Sequence, residues 1–185
     1  FFRPFIGGVF LDESLSVSSR MLEFVFRMFS QGGIAVPADG MAAIPRQLAE
    51  QLPRGSISLQ SSAVQLDGNN ITLANGNSLS GDHVVIATES NAAARLLELP
   101  QVQTNWNQTT TLYYSSPMCN ERYKSLILRG DENGPIQTAT IISNVAAEYS
   151  PEQKSLISVS LSPSEDKSSH EMEKHAKQQL TSWFG

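Results

Sequence analysis

The sequence is poor in the residues that build disulfides, metal centres and membrane spans. Its single cysteine, Cys119, excludes an internal disulfide and is typical of a reducing compartment, here taken as the cytoplasm. Its histidines are His83, His170 and His175, and the last two do not have the i, i+4 spacing of a helical metal pair. No run of about 18 apolar residues occurs, so no segment can cross a bilayer as a helix. We therefore expect no metal site and no transmembrane helix.

Several catalytic and binding classes also lack their signatures. The formal net charge of −5 and the pI near 5.2 argue against a nucleic-acid surface, which requires clustered Lys and Arg. The phosphate-binding pattern G-x-G-x-x-G does not occur, since neither Gly7-Gly8 nor Gly32-Gly33 matches it. The G-x-S-x-G elbow is also missing, which disfavours a Ser-His-Asp hydrolase. No catalytic acid, base or nucleophile is nominated, and the catalytic residues are unknown.

The first 33 residues combine an apolar opening with a strongly apolar helix. Residues 1–12, FFRPFIGGVFLD, predict a loop or short turn, and their aromatics suggest an excised piece of a longer protein. Residues 20–29 predict a helix with an N-cap at Ser18 or Ser19. Its polar side chains form one stripe that includes an ion pair: Arg20, Glu23 and Arg27. The apolar remainder is either a core helix or the wall of an apolar substrate tunnel, and both interpretations stay open.

Residues 34–88 predict a helix, a strand, a hairpin and a second strand. Apolar side chains recur at the spacing of one buried helix face at Met41, Ile44, Leu48 and Leu52. Because a proline removes a backbone hydrogen bond, we expect a firm helix only from Ile44 or Pro45 onward. Residues 57–59 predict a strand and residues 64–73 a hairpin. The β-branched run at 84–87 predicts a strand covered on both faces, in one sheet with the strand at 57–59.

The second half of the chain predicts a short helix, a sheet and a final helix. The helix spans residues 91–97. Four strand-like segments follow with short turns between them, at residues 109–114, 125–128, 138–143 and 155–161. This tight spacing favours an antiparallel or mixed sheet. Tyr113 and Tyr114 lie on opposite faces of one strand. One of them is therefore expected to face the core, and the other a cleft or solvent. The last helix places its apolar side chains on one face, at Met172, Ala176, Leu180 and Trp183.

Motifs in residues 34–88 resemble the superfamily of flavin-containing amine oxidases, phytoene desaturases and protoporphyrinogen oxidases. The matching residues are Pro37, Asp39-Gly40-Met41, Leu48, Val64, Asn75-Gly76 and Val84 to Thr88, although Asp39 replaces a glycine that is usual in the family. Residues 1–29 are more similar to the desaturase-like branch than to the amine oxidases proper. The resemblance covers nearly the whole chain, but only the middle of such a protein.

The resemblance implies an FAD cofactor and assigns three residues to it. The backbone at Val64 would meet the adenine edge, and Thr88 and Glu89 would lie near the ribose and pyrophosphate side. The family's main phosphate and flavin motifs lie outside these 185 residues, so this fragment alone is not expected to retain FAD. The implied function is an FAD-dependent oxidoreductase acting on a hydrophobic substrate. A non-catalytic module that binds a lipid-like ligand, or a protein-interaction domain, remains the alternative.

The predicted fold class is α+β. It consists of a mixed or antiparallel sheet with helices in a substrate domain, and a helix–strand–hairpin–strand piece of a Rossmann-like FAD-binding domain. The predicted divisions are a substrate-domain entry and helix at 1–33, part of the FAD-binding domain at 34–90 and further substrate domain at 91–185. The expected partners are the remainder of its own chain, a small hydrophobic substrate and other copies of the fragment. Peripheral contact with a membrane is also expected, but no nucleic acid.

Overall fold

The computed structural model describes residues 1–117, 124–130, 132–150, 152, 154–162 and 168–185. Helices and two antiparallel sheets make up this part of the chain, and the fold class predicted as α+β is confirmed. The residues form two compact units. The discontinuous unit contains Phe1–Arg46 and Asn107–Gly185, and the inserted unit contains Gln47–Trp106. The predicted divisions at 33/34 and 90/91 stay a prediction.

A four-stranded sheet forms the centre of the discontinuous unit. Its strands lie in the order β4-β7-β6-β5, all antiparallel: β4 Thr110–Ser116, β5 Ile127–Leu128, β6 Ile136–Ile141 and β7 Ser155–Leu161. Alternate residues of β7 are buried, as expected for a strand with one covered face. Tyr114 packs against the core, whereas Tyr113 is exposed. The predicted antiparallel sheet and its four strands are therefore confirmed, with shifts of a few residues at their ends.

Helix α6, Ser169–Phe184, covers one face of this sheet. The predicted apolar face is present, because Met172, Ala176 and Leu180 are buried and Trp183 packs against the same core. The helix begins with a capping box in which the side chain of Ser168 accepts from the backbone N–H of Glu171. A short helix α5, Ile142–Val145, follows β6 directly. The largest fully buried side chains of the core come from β6 and β7: Ile136, Ile141, Val159 and Leu161.

The segment predicted as a loop at 1–12 instead contains helix α1, Phe2–Phe10. The prediction gave too much weight to Gly7-Gly8. A proline in the first turn sacrifices no helical hydrogen bond, because that N–H has no partner within the helix. A Cβ added to Gly8 would lie 3.1 Å from Cγ2 of Thr138 in β6. The glycine therefore allows the helix to pack closely on the sheet, which offsets its low helical propensity.

Helix α2, Ser19–Ser30, confirms its predicted cap and ion pair but is not a core helix. The Ser18 hydroxyl accepts from the backbone N–H of Arg20 at 3.3 Å, and Glu23 lies 3.6 Å from Arg27. None of the described residues of α2 is buried, so the core-helix interpretation is wrong for this chain. On one side α2 contacts α1, where the rings of Phe5 and Phe29 are 6.0 Å apart.

Helix α3, Ala43–Glu50, begins close to the predicted position and carries Pro45 in its first turn. The predicted buried face is instead exposed at each of its four positions, Met41, Ile44, Leu48 and Leu52. The spacing identified a helix face that is apolar, but burial also requires an element packed against it. No described residue covers this face sufficiently to bury it.

The inserted unit contains a three-stranded antiparallel sheet in the order β1-β2-β3. Its strands are β1 Ala63–Asp67, β2 Asn70–Leu73 and β3 Ser78–Ser80, followed by α4, Ser90–Leu97. The predicted hairpin and short helix are confirmed. Neither residues 57–59 nor residues 84–87 form a strand, and their predicted shared sheet is absent from the described residues. A buried parallel strand needs neighbouring strands, and here Val85 is 87% exposed.

Candidate functional site

An apolar cleft lies between α1 and α2 in the discontinuous unit. It has a volume of about 680 Å³ and is lined mainly by aliphatic and aromatic side chains: Phe2, Arg3, Ile6, Phe10, Leu15, Val17, Ser19, Leu22, Glu23 and Phe26. A lining of this kind favours an apolar ligand. Helix α2 carries three phenylalanines, and of these Phe26 lines the cleft, whereas Phe24 is 56% exposed and is not part of the lining.

The loop between α1 and α2 is shaped by Asp12. Its carboxylate accepts from the backbone N–H and hydroxyl of Ser14 at 2.9 and 2.5 Å, and from those of Ser16 at 2.7 and 2.8 Å. These hydrogen bonds lower the pKa of Asp12 from 3.8 to about 2, with the Ser14 hydroxyl as the largest cause. The folded loop presents Leu15 and Val17 to the cleft. Sequence reasoning missed this role, although the D-x-S-x-S spacing is a recognisable signal for a side-chain-capped turn.

Two charged side chains line the apolar cleft. Glu23 pairs with Arg27, and its side chain is 74% exposed, so its charge is solvated and compensated. Arg3 in α1 lies in the lining of the same cleft. Neither charged group is buried. Because water screens both of them, neither attracts an oppositely charged ligand strongly. The cleft can bind an apolar body and leave a polar end of a ligand in solvent.

The predicted cofactor residues lie in the inserted unit. A cavity of about 120 Å³ is formed by the β1–β2 hairpin, residues 84–88 and Leu96 of α4. Thr88 lines this cavity, and its hydroxyl donates to the backbone oxygen of Glu89 at 3.2 Å. Glu89 is the N-cap residue of α4 without a side-chain cap bond. Val64 is an exposed residue at a register shift in β1, between two lining residues, Ala63 and Gln65.

These residues do not form a complete site for a flavin dinucleotide. Ligand sites of that size occupy about 300–1,000 Å³, whereas this cavity has about 120 Å³. The part of the chain described here also brings no glycine-rich phosphate loop to it. The structure places Thr88 and Glu89 side by side and Val64 in the hairpin of the same unit. Their cofactor roles stay predictions.

The described part of the chain contains neither a metal centre nor a membrane-spanning helix. Within it, no group of three or more His, Cys, Asp or Glu side chains is placed to hold a metal ion. None of the helices found there is both long enough and apolar enough to cross a membrane. Cys119 lies outside the described residues.

Comparison with known proteins places the chain among flavoproteins. Residues 1–185 match the family described as flavin containing amine oxidoreductase. Among solved structures, the chain is similar to a protein described as reduced UDP-galactopyranose mutase, with a TM-score of 0.61 and 19% sequence identity. The similarity covers 79% of this chain and 36% of that chain, so it spans about a third of the neighbour and shows the fold alone. No curated protein matches the chain.

Proposed function

The chain belongs to the flavin containing amine oxidoreductase family, and from this premise we propose that it is the central part of an FAD-dependent oxidoreductase. The proposed substrate is hydrophobic, and the proposed branch is the desaturase-like one. Since the chain spans 36% of the similar solved structure, the activity is a proposal about the whole protein. FAD, when bound, supplies the redox chemistry. This chain contributes an apolar substrate cleft and residues at one edge of the cofactor, Val64, Thr88 and Glu89.

The observation that supports a hydrophobic substrate is the lining of the cleft between α1 and α2. An amine or amino acid would require a desolvated carboxylate or an aromatic cage to meet its charge. The acidic residue in the lining is Glu23, which is exposed and paired with Arg27. An isoprenoid or similar chain needs neither group, and a volume of about 680 Å³ can hold it.

A matched pair of substitutions tests the cleft. Phe26→Asp places a charge in the lining, whereas Phe24→Asp places the same charge on the same helix outside it. We expect Phe26→Asp to weaken binding of retinol, an isoprenoid polyene, by at least about tenfold, because a charge facing an apolar ligand loses solvation. Phe24→Asp should change the affinity less than about twofold. Both phenylalanines are solvent-exposed, so neither change should unfold the protein. Fluorescence titration with retinol gives both affinities, and equal losses would remove the substrate assignment.

A lipid-binding module without redox chemistry would give the same retinol result. The absorption spectrum of the intact parent protein separates the two functions, because bound flavin has its own visible band. We expect that band in the intact protein, whereas residues 1–185 alone should be colourless for lack of a phosphate cradle. An intact protein that binds retinol and never carries flavin would be a binding module.

A further inference from the structure

The discontinuous unit has a second cavity, which differs from the apolar cleft because polar and charged side chains line much of it. It has a volume of about 340 Å³ and is bordered by the start of α1, by the loop after α1 and by residues next to β5 and β6. The polar side chains in its lining are Arg3, Glu13, Arg129 and Gln137. Among the described residues of the lining, two guanidinium groups against one carboxylate give an excess of positive charge. The family-level function proposed above uses none of this polar character.

Gln137 is the most unusual residue of this cavity. It is 3% exposed, and its side-chain oxygen has no hydrogen-bond partner among the described residues. Burial of an unpaired amide oxygen is costly, so such groups usually have a partner. Gln137 also lies at a register shift between β6 and β7, where the strand departs from regular pairing. Irregularities of this kind re-aim side chains and are frequent next to binding sites.

The surrounding structure fixes Gln137 beside Arg129. The backbone N–H of Arg129 donates to the backbone oxygen of Gln137 at 3.2 Å. The Arg129 guanidinium donates to the Gly134 carbonyl at 2.6 Å and lies 3.5 Å from the carboxylate of Glu13. Glu13 also accepts from the hydroxyl of Ser162 at 2.6 Å. The cation is therefore held in place before any ligand arrives, which lowers the entropic cost of binding.

Arg3 supplies the second cation. The described residues provide no hydrogen bond or ion pair for its guanidinium, although it lines the cavity. A free guanidinium matches the planar geometry of a carboxylate or phosphate and can bind it through two parallel hydrogen bonds. The terminal torsion of a glutamine is broad, so the Gln137 amide can turn and offer its oxygen or its nitrogen to a ligand hydroxyl.

From this arrangement we propose that the cavity binds a small hydroxylated organic anion. Arg3 and Arg129 hold the anionic group, and Gln137 pairs with a hydroxyl of the same molecule. Sugar acids are the simplest compounds with both features at a size that fits about 340 Å³. The role is independent of the apolar cleft, although Arg3 borders both.

Three probes of similar size separate the elements of this recognition. Gluconate carries the carboxylate and the hydroxyls, hexanoate has the carboxylate without hydroxyls, and glucose has hydroxyls without the charge. We expect gluconate to shift the NMR signals of the Gln137 side-chain amide and to bind at least about tenfold more tightly than either other probe. Equal binding of gluconate and hexanoate, or of gluconate and glucose, would overturn the proposal. The proposal would also be overturned if gluconate left the NMR signals of the Gln137 side-chain amide unshifted.

Two substitutions connect binding to the named residues. Gln137→Met keeps the side-chain volume and removes the unpaired amide, so we expect an unchanged or higher Tm together with gluconate binding weakened about tenfold. Arg3→Ala should weaken gluconate binding by at least about tenfold, whereas Arg46→Ala, which removes an exposed arginine outside the cavity, should not. Unchanged gluconate affinity in Gln137→Met or in Arg3→Ala would contradict the assignment. A lower Tm in Gln137→Met would show that the amide serves the fold instead of a ligand.

Discussion

Asp12 shows how one side chain can set the shape of a binding loop. Its two carboxylate oxygens each receive a backbone N–H and a hydroxyl, from Ser14 and from Ser16. Four donors on one carboxylate stabilise its ionised form, which lowers its pKa from 3.8 to about 2. The same bonds fix the backbone that carries Leu15 and Val17 into the apolar cleft. Ionisation of Asp12 and the geometry of the cleft are therefore linked.

This linkage predicts a pH dependence. Because the folded pKa lies below the unfolded value of 3.8, the contribution of Asp12 to stability is complete above pH about 4 and is lost as the pH falls toward 2. We expect Asp12→Asn to abolish that part of the decline in urea unfolding midpoints between pH 4.5 and pH 2. Ser14→Ala should move the pKa of Asp12 back toward 3.8 in an NMR titration. A wild-type titration midpoint near 3.8 would contradict this account.

At the level of elements, Gln179 joins α6 to the sheet. Its side-chain oxygen accepts from the backbone N–H of Ile136 at 3.0 Å, and its amide donates to Glu132 at 3.1 Å. Gln179 is buried, so the N–H at the start of β6 depends on this side chain for its hydrogen bond. The neighbouring Gln178 is exposed on the same helix.

These two glutamines form a matched test of the join. Gln179→Met keeps the volume but leaves the buried N–H of Ile136 without its acceptor, which should lower the free energy of unfolding by about 1–3 kcal/mol. Gln178→Met should change it by less than about 0.5 kcal/mol, because the side chain is exposed. Urea denaturation of both variants gives the comparison. A loss of similar size in both would mean that helix propensity, and not the hydrogen bond, is responsible.

Elements defined by local pattern were predictable, and those defined by packing were not. The alternating strand at 155–161 and the four-residue apolar spacing of α6 identify both structures from sequence alone. Helix α1 was missed because the close contact that explains Gly8 is with Thr138, far along the chain. The run at 84–87 was expected to be a covered strand. Its β-branched residues favour the extended conformation, but a strand forms only where a neighbouring strand is available to pair with it. The same holds for α2 and α3, whose apolar faces were recognisable from the sequence but are exposed because no described element covers them.

The candidate sites were predictable only in part. The apolar character of α2 indicated a hydrophobic surface, yet the contribution of α1 and of the Asp12 loop required the structure. The polar cavity was not foreseen, because Arg3, Glu13, Arg129 and Gln137 are scattered over the sequence and share no motif. For the cofactor, resemblance to a family supplied Val64, Thr88 and Glu89, and their roles stay predictions.

At the scale of the whole molecule, exposed aromatics predict self-association. Phe1 and Phe2 are 82% and 66% exposed, and together with the uncovered faces of α2 and α3 they form apolar surface that water solvates poorly. We expect light scattering to give an average mass above 20.2 kDa that rises with protein concentration. A double variant, Phe1→Ser with Phe2→Ser, should lower that mass. A concentration-independent mass of one chain for the unmodified protein would argue against this prediction.

The division into a discontinuous and an inserted unit has a consequence for biosynthesis. The β1–β2 hairpin pairs residues close in sequence, so it can form soon after those residues leave the ribosome. The contact of helix α1 with Thr138 in β6 forms only after about 130 further residues are made, which corresponds to roughly 7 to 26 seconds of translation. During that interval the apolar surface of α1 has no sheet to pack on. Helix α1 is therefore a part of the nascent chain on which a chaperone would act.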